Sequence, residues 1–212
     1  MQKLKWQIAQ FFEVKWWQNY LSKKDKAAYY DWKKKYWLNL IAQINDFSIT
    51  AEDCMADVGC GPAGVFIAFP NNNLDAFDPL LNEYESKLPF FDKKDFPNCE
   101  FHITKAEDIS SNKHYAHVFC INAINHFENL EKGVAKITAL NSIHFYWSVD
   151  AHRFSFLKFI FRLIPADVLH PHQYVIQDYE NLLIKNQLKI TQCSILRKGL
   201  IFNEYLICSV KK

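Results

Sequence analysis

The chain has 212 residues, half of them apolar and 23% charged, which suits one domain with an appendage and excludes a disordered chain. Lys and Arg number 25 against 23 Asp and Glu, and a net charge of +2 argues against a dedicated binder of nucleic-acid backbones. The six cysteines form no C-x-x-C pair and read as buried free thiols of a reducing, cytoplasmic compartment. The start of the chain lacks the apolar core of a signal peptide, and no apolar run approaches the roughly 20 residues that span a bilayer.

Residues 1–46 hold five of the six tryptophans, and nine lysines against four acidic residues. Apolar positions recur at helical spacing: Ile8, Phe11 and Phe12, then Tyr29, Trp32, Tyr36, Trp37, Leu40, Ile41 and Ile44. This predicts two or three amphipathic helices broken near Ser22, a helical cap ahead of a domain at 47–212. The Lys33-Lys-Lys35 run reads as a solvated helix face. From about residue 50 the pattern alternates. Short β-like runs fall at 54–58, 74–77, 99–103, 117–122, 143–149, 188–196 and 202–210, with helical stretches at 62–69, 80–88, 129–140 and 177–186. Strand–helix alternation predicts a mostly parallel α/β sheet with helices on both faces. Too few residues separate the last two strands for a crossover helix, so they should form an antiparallel hairpin. The apolar run at 154–164 reads as an inserted helix, part of a candidate lid at 151–175.

The most informative segment is Asp57-Val-Gly59-Cys60-Gly61-Pro62-Ala-Gly64, a G-x-G-x-x-G turn at the end of the first strand. Gly59 and Gly61 let the backbone turn tightly and let a ligand approach the main chain. The helix expected to follow would turn its N–H groups toward an anion. Asp78 ends the second strand, 21 residues after Asp57, where a carboxylate can accept hydrogen bonds from ribose hydroxyls. A dinucleotide or S-adenosylmethionine fits this scheme. A carboxylate at Asp57 repels a pyrophosphate and favours an ammonium group. A dehydrogenase also needs a separate catalytic domain.

The segment 57–64 resembles motif I of the class I S-adenosylmethionine-dependent methyltransferases, and the likeness extends over about residues 50–212. It includes Asp78, the Lys105-Ala106-Glu107-Asp108-Ile109 segment after the third strand, and Asn122-Ala-Ile-Asn125-His126-Phe after the fourth. The resemblance implies a seven-stranded sheet with S-adenosylmethionine as cofactor. Asp57, Gly59 and Gly61 would hold its methionine end, Asp78 its ribose, and Ala106 and Glu107 its adenine. Cys60 and Asn122 would also touch the cofactor, Asn122 where it could equally face the methyl group or the acceptor. At Lys105 many relatives carry an acid or amide; a lysine cannot accept a hydrogen bond from adenine.

His126 is a candidate base or orienting group because imidazole titrates near neutrality. His172, in the segment His170-Pro-His172, is a second candidate beside the acceptor. The histidines lack partners at metal-ligand spacing, so no metal site is expected. The expected function is methylation of a small molecule by a monomer or homodimer. RNA methylation, with the basic N-terminal helices as docking surface, and a nicotinamide-linked oxidoreductase are the rivals.

Overall fold

The computed structural model describes residues 2–153 and 174–212. The helix expected over 154–164, most of the candidate lid, and the pair His170 and His172 lie outside the described residues. Helix α1 spans Gln2–Leu21 and α2 spans Lys26–Ile41. Between them Asp25 caps α2 by accepting the Ala28 N–H at 2.9 Å. Strands β1 (Met55–Val58), β2 (Leu74–Phe77), β3 (Cys99–His102), β4 (His114–Cys120), β5 (Asn141–His152), β6 (Leu188–Lys198) and β7 (Phe202–Lys211) form one sheet in the order 3-2-1-4-5-7-6. Strands β1 to β5 pair in parallel, and β7 runs antiparallel to both β5 and β6. Helices α3 (Leu81–Lys87), α4 (Leu130–Thr138) and α5 (Ile176–Lys185) complete the regular structure among the described residues. The expected α/β class, the parallel sheet and the terminal hairpin all form. No helix among the described residues is long and apolar enough to cross a membrane.

Side chains that alternate along each strand feed two cores. Met55, Phe119 and Tyr146 face one side, where they join Leu21, Tyr29, Trp37, Leu40, Ile41, Leu81 and Tyr84. Ala56, Val58, Val118, Cys120, Phe145 and Trp147 face the other, against Val134, Ile137, Tyr179 and Leu183 of α4 and α5. Helices α1 to α3 thus cover one face and α4 and α5 the other. The first two helices share a continuous core with the sheet. The buried Trp37 indole also donates to the Ala63 carbonyl, at 3.0 Å.

Several local expectations need correction. The stretch 62–69 forms only a 3₁₀ turn, Val65–Ile67. The buried Asp57 carboxylate takes the Val65 N–H at 2.7 Å, and Pro70 turns its predecessor away from helical backbone, so no full helix fits between them. The Val65 N–H, at the start of this turn, is taken by Asp57 and so is not left for a ligand. Strand β4 begins at His114 and stops at Cys120, because Asn122 adopts the left-handed conformation at φ 55°. On α1 the expected apolar stripe is displaced. Ile8, Phe11 and Phe12 are 40–57% exposed, while Ala9, Gln10, Val14 and Leu21 are buried. Trp32 is likewise exposed. Of the cysteines, all free, Cys60, Cys120 and Cys208 are buried, whereas Cys193 points outward from the edge strand β6.

Candidate functional site

In an open parallel sheet the carboxyl ends of the strands form a ligand crevice where the strand order reverses, here between β1 and β4. The glycine turn stands at that place. Gly59 has φ 70° and Gly61 φ 56°, a region closed to most residues with a side chain. The Gly59 N–H donates to the Phe77 carbonyl at 2.7 Å, which ties the turn to the end of β2. A Cβ at Gly59 would overlap Ala123 Cβ, whereas one at Gly61 would meet nothing nearer than Trp17 at 4.0 Å. The Gly61 backbone is therefore open to the crevice. Gly59→Ala should lower stability by roughly 2–5 kcal/mol, through left-handed strain plus a forced backbone shift. Gly61→Ala should lower it by only about 1–2 kcal/mol. Urea unfolding of the two variants separates them, and equal loss would contradict this account.

Asp78 sits just beyond β2 and is buried. Its Oδ2 accepts the Gly61 N–H at 3.0 Å and its Oδ1 accepts the Leu80 N–H at 2.8 Å. A carboxylate offers about four acceptor directions, so two remain for ligand hydroxyls. Asp57 lies below the turn, and its Oδ2 holds the loop through Val65. Burial pushes both carboxyls up to about 7; Glu13 adds to the effect at Asp78, and Asp78 adds to it at Asp57. Asp75 stays structural inside β2, with the Lys113 ammonium at 2.8 Å from Oδ1 and the Tyr115 hydroxyl at 2.5 Å from Oδ2. Asp75, Glu100 and His102 come within ligand distance of one another, and both carboxylates pair with Lys113.

Two chambers open above the turn. The smaller, of about 60 Å³, is lined by Asp78, Ala106, Glu107, Asn122 and His126, with Trp6, Gln10 and Glu13 across its mouth. The larger, of about 450 Å³, is lined by Cys60 and Gly61 on one side and by Trp16, Trp17, Lys33, Tyr36 and Trp37 on the other. Gly59, Glu13, Asn122 and His126 belong to both. The expected residues Gly59, Cys60, Gly61, Asp78, Ala106, Glu107, Asn122 and His126 thus line one region, whereas Asp57 lines neither chamber and lies buried beneath the turn.

Details differ from expectation. One Glu107 oxygen accepts the Asn129 N–H at 2.7 Å and so helps start α4. Lys105 pairs with Glu128 at 2.6 Å and rests 4.0 Å from the Trp6 ring centre. Asp108 pairs with Lys132 on the surface. Asn122 is fixed by Ser148, whose hydroxyl accepts its N–H and donates to its Oδ1, while its Nδ2 donates to the Tyr36 hydroxyl at 3.2 Å. His126 borders the Asp78 chamber as well as the larger one, so it is not confined to the acceptor side. Its carbonyl accepts the Trp6 indole N–H at 3.1 Å.

The N-terminal helices, expected as a cap, line the site, but the sequence did not single out which residues of α1 reach it. Trp6, Gln10, Glu13 and Trp17 recur at helical spacing, and it is this row on α1 that faces the crevice. Glu13 accepts the Tyr84 hydroxyl at 2.8 Å. Lys33 is a further correction. It does not share the solvated face of Lys34 and Lys35 but is half-buried in the larger cavity, where burial lowers its pKa to about 8.

No protein-family model and no curated protein matches the sequence. Comparison of the fold is informative. Magnesium protoporphyrin IX methyltransferase from Synechocystis, solved with bound S-adenosylhomocysteine, superposes with a TM-score of 0.58 at 16% identity, covering 88% of this chain and 84% of that one. Geranyl diphosphate C-methyltransferase from Streptomyces coelicolor gives 0.64 at 9% identity, over 86% of this chain and 79% of that one. The 1,6-didemethyltoxoflavin-N1-methyltransferase of Burkholderia thailandensis gives 0.62 at 11% identity, over 97% and 87%. The architecture is that of the class I S-adenosylmethionine-dependent methyltransferases.

Proposed function

We propose that the chain is an S-adenosylmethionine-dependent methyltransferase acting on a small molecule. The observation that carries this reading is the buried Asp78 carboxylate facing a glycine turn whose Gly61 backbone stands open to the crevice. These residues fit the cofactor. Asp78 retains acceptor capacity for two ribose hydroxyls, the Gly59–Gly61 backbone admits close approach, and the Ala106 segment borders the place for adenine. When bound, the cofactor supplies an electrophilic methyl group. The protein orients the acceptor, excludes water and, at His126, offers an imidazole that can receive a proton.

The smaller chamber takes only a few waters, far less than a nucleoside. A nucleoside would need more room than the Trp6 indole, tied to the His126 carbonyl, leaves in that chamber. The three relatives named above act, by their names, on small molecules, and the aromatic walls of the larger cavity suit such an acceptor. We place the boundary between cap and methyltransferase domain near residue 46.

Calorimetric titration with S-adenosylhomocysteine, S-adenosylmethionine and NAD tests this reading. One site for each sulfur compound and none for NAD is the expected result. Tight NAD binding without binding of either sulfur compound would overturn it and favour the oxidoreductase alternative.

A further inference from the structure

We propose that the acceptor is an aromatic molecule bearing an anionic oxygen, of the carboxylate class, and that Lys33 is the cation that receives it. This rests on the methyltransferase reading and narrows it to a substrate class. The larger cavity is walled by Trp16, Trp17, Tyr36 and Trp37. Flat, apolar ligands gain most against such ring faces. One cation projects among them. The Lys33 ammonium lies 4.3 Å from the Tyr36 ring centre and 5.8 Å from those of Trp32 and Trp37. Among the described residues it makes no ion pair within 4.0 Å, although it is half-buried. Ring faces compensate a desolvated cation only in part.

The carboxylates that act on Lys33 from a distance are Asp57 below the turn and Glu204 on β7. Both are engaged elsewhere, Asp57 with the Val65 N–H and Glu204 with Arg197 at 3.6 Å. A ligand oxygen is the partner the site lacks. Lys33 faces the Gly59–Gly61 turn across the cavity, so the acceptor and the methionine end of the cofactor would meet there. The cavity lies over the ends of β1 and β4, next to Gly61 and Asn122, whereas Asp78 and Ala106, at the ribose and adenine positions, follow β2 and β3 on the other side of β1. The cofactor has a carboxylate of its own, and the experiment distinguishes the two sources.

The probes are 2-naphthoate and 2-naphthamide, matched in shape and different in charge. Each is titrated into the full chain by calorimetry, with and without saturating S-adenosylhomocysteine, whose own affinity is measured separately. Wild type should bind the naphthoate at least tenfold more tightly than the amide. Lys33→Met should reduce that preference below threefold, Lys33→Arg should keep most of it, and both should bind S-adenosylhomocysteine within threefold of wild type. If Lys33→Met unfolds, Lys33→Gln replaces it. Equal affinity for the two probes in wild type, or a preference that survives loss of the cation, would overturn the proposal. So would a tenfold loss of S-adenosylhomocysteine affinity with the naphthoate preference intact, since Lys33 would then serve the cofactor carboxylate. If S-adenosylhomocysteine fails to bind wild type, the methyltransferase reading falls, and the titrations without it still decide the role of Lys33.

Discussion

Replacing Asp78 by Ala should weaken S-adenosylhomocysteine binding by about 10²–10⁴-fold. Two ribose hydroxyls donating to a buried carboxylate form charge-assisted hydrogen bonds, each worth about 1.5–3 kcal/mol. The variant also loses the acceptor for the Gly61 and Leu80 N–H groups, so the turn loosens around the ligand. Asp78→Asn refines the test. Its single carbonyl oxygen can hold only part of what the carboxylate holds, so its loss should be smaller than that of the Ala variant. Calorimetry on both variants reads the effect, and near-wild-type affinity in Asp78→Ala would assign the ribose to another residue.

The same carboxylate makes binding depend on pH. In the free protein burial raises Asp78 and Asp57 to about 7, above the ordinary carboxylate value of 3.8. A carboxyl raised in this way is protonated in the folded chain over a range where the unfolded chain has already lost the proton. Its contribution to stability is therefore greatest below the ordinary value and declines as pH rises toward 7. Ligand hydroxyls favour the ionised form and pull the proton off. S-adenosylhomocysteine affinity should rise with pH up to about 7 and then level off, with proton release detectable below that point. Asp78→Asn should flatten the curve. A flat wild-type curve between pH 5.5 and 8 would show that Asp78 is already ionised before the ligand arrives.

What the sequence disclosed follows from how local each signal is. The parallel sheet was legible because short apolar runs alternate with helical ones. The terminal hairpin was legible because the few residues between the runs at 188–196 and 202–210 cannot hold a crossover helix. Asp57, Gly59, Gly61 and Asp78 were legible because a tight turn and a strand-end acid each require a residue type at fixed spacing. The face of α1 was not. Its aromatic residues lie nearly all around the helix, so apolar periodicity does not choose a side, and the choice falls to tertiary contacts such as Trp6 to His126 and Glu13 to Tyr84. Lys33 escaped for a related reason. A lysine within a run of three reads as solvated unless the aromatic rings beside it in space are known. The full helix expected after the glycine turn failed because Pro70 and the bond from Val65 to Asp57 outweigh the helical pattern.

His126→Ala should lower methyl transfer by roughly 10²–10⁴-fold if its imidazole takes a proton from the acceptor. The argument is positional. His126 ends the 3₁₀ turn Ile124–His126, which follows β4 directly, and it borders both the Asp78 chamber and the aromatic cavity. It therefore stands where a group held by Asp78 and one held near Lys33 would meet. Because it touches the Asp78 chamber too, S-adenosylhomocysteine affinity should change by a few-fold at most, far less than the rate. Turnover is followed as S-adenosylhomocysteine release from the full chain with an acceptor that reacts. A general base gives a rate that falls as pH drops below its pKa, and the Ala variant loses that limb. An orienting imidazole gives a flatter profile, and His126→Asn then restores much of the rate. Transfer that proceeds at the wild-type rate in both variants would remove His126 from the chemistry. Positioning and desolvation by the aromatic walls would then carry the reaction, which is enough for an acceptor that is already nucleophilic.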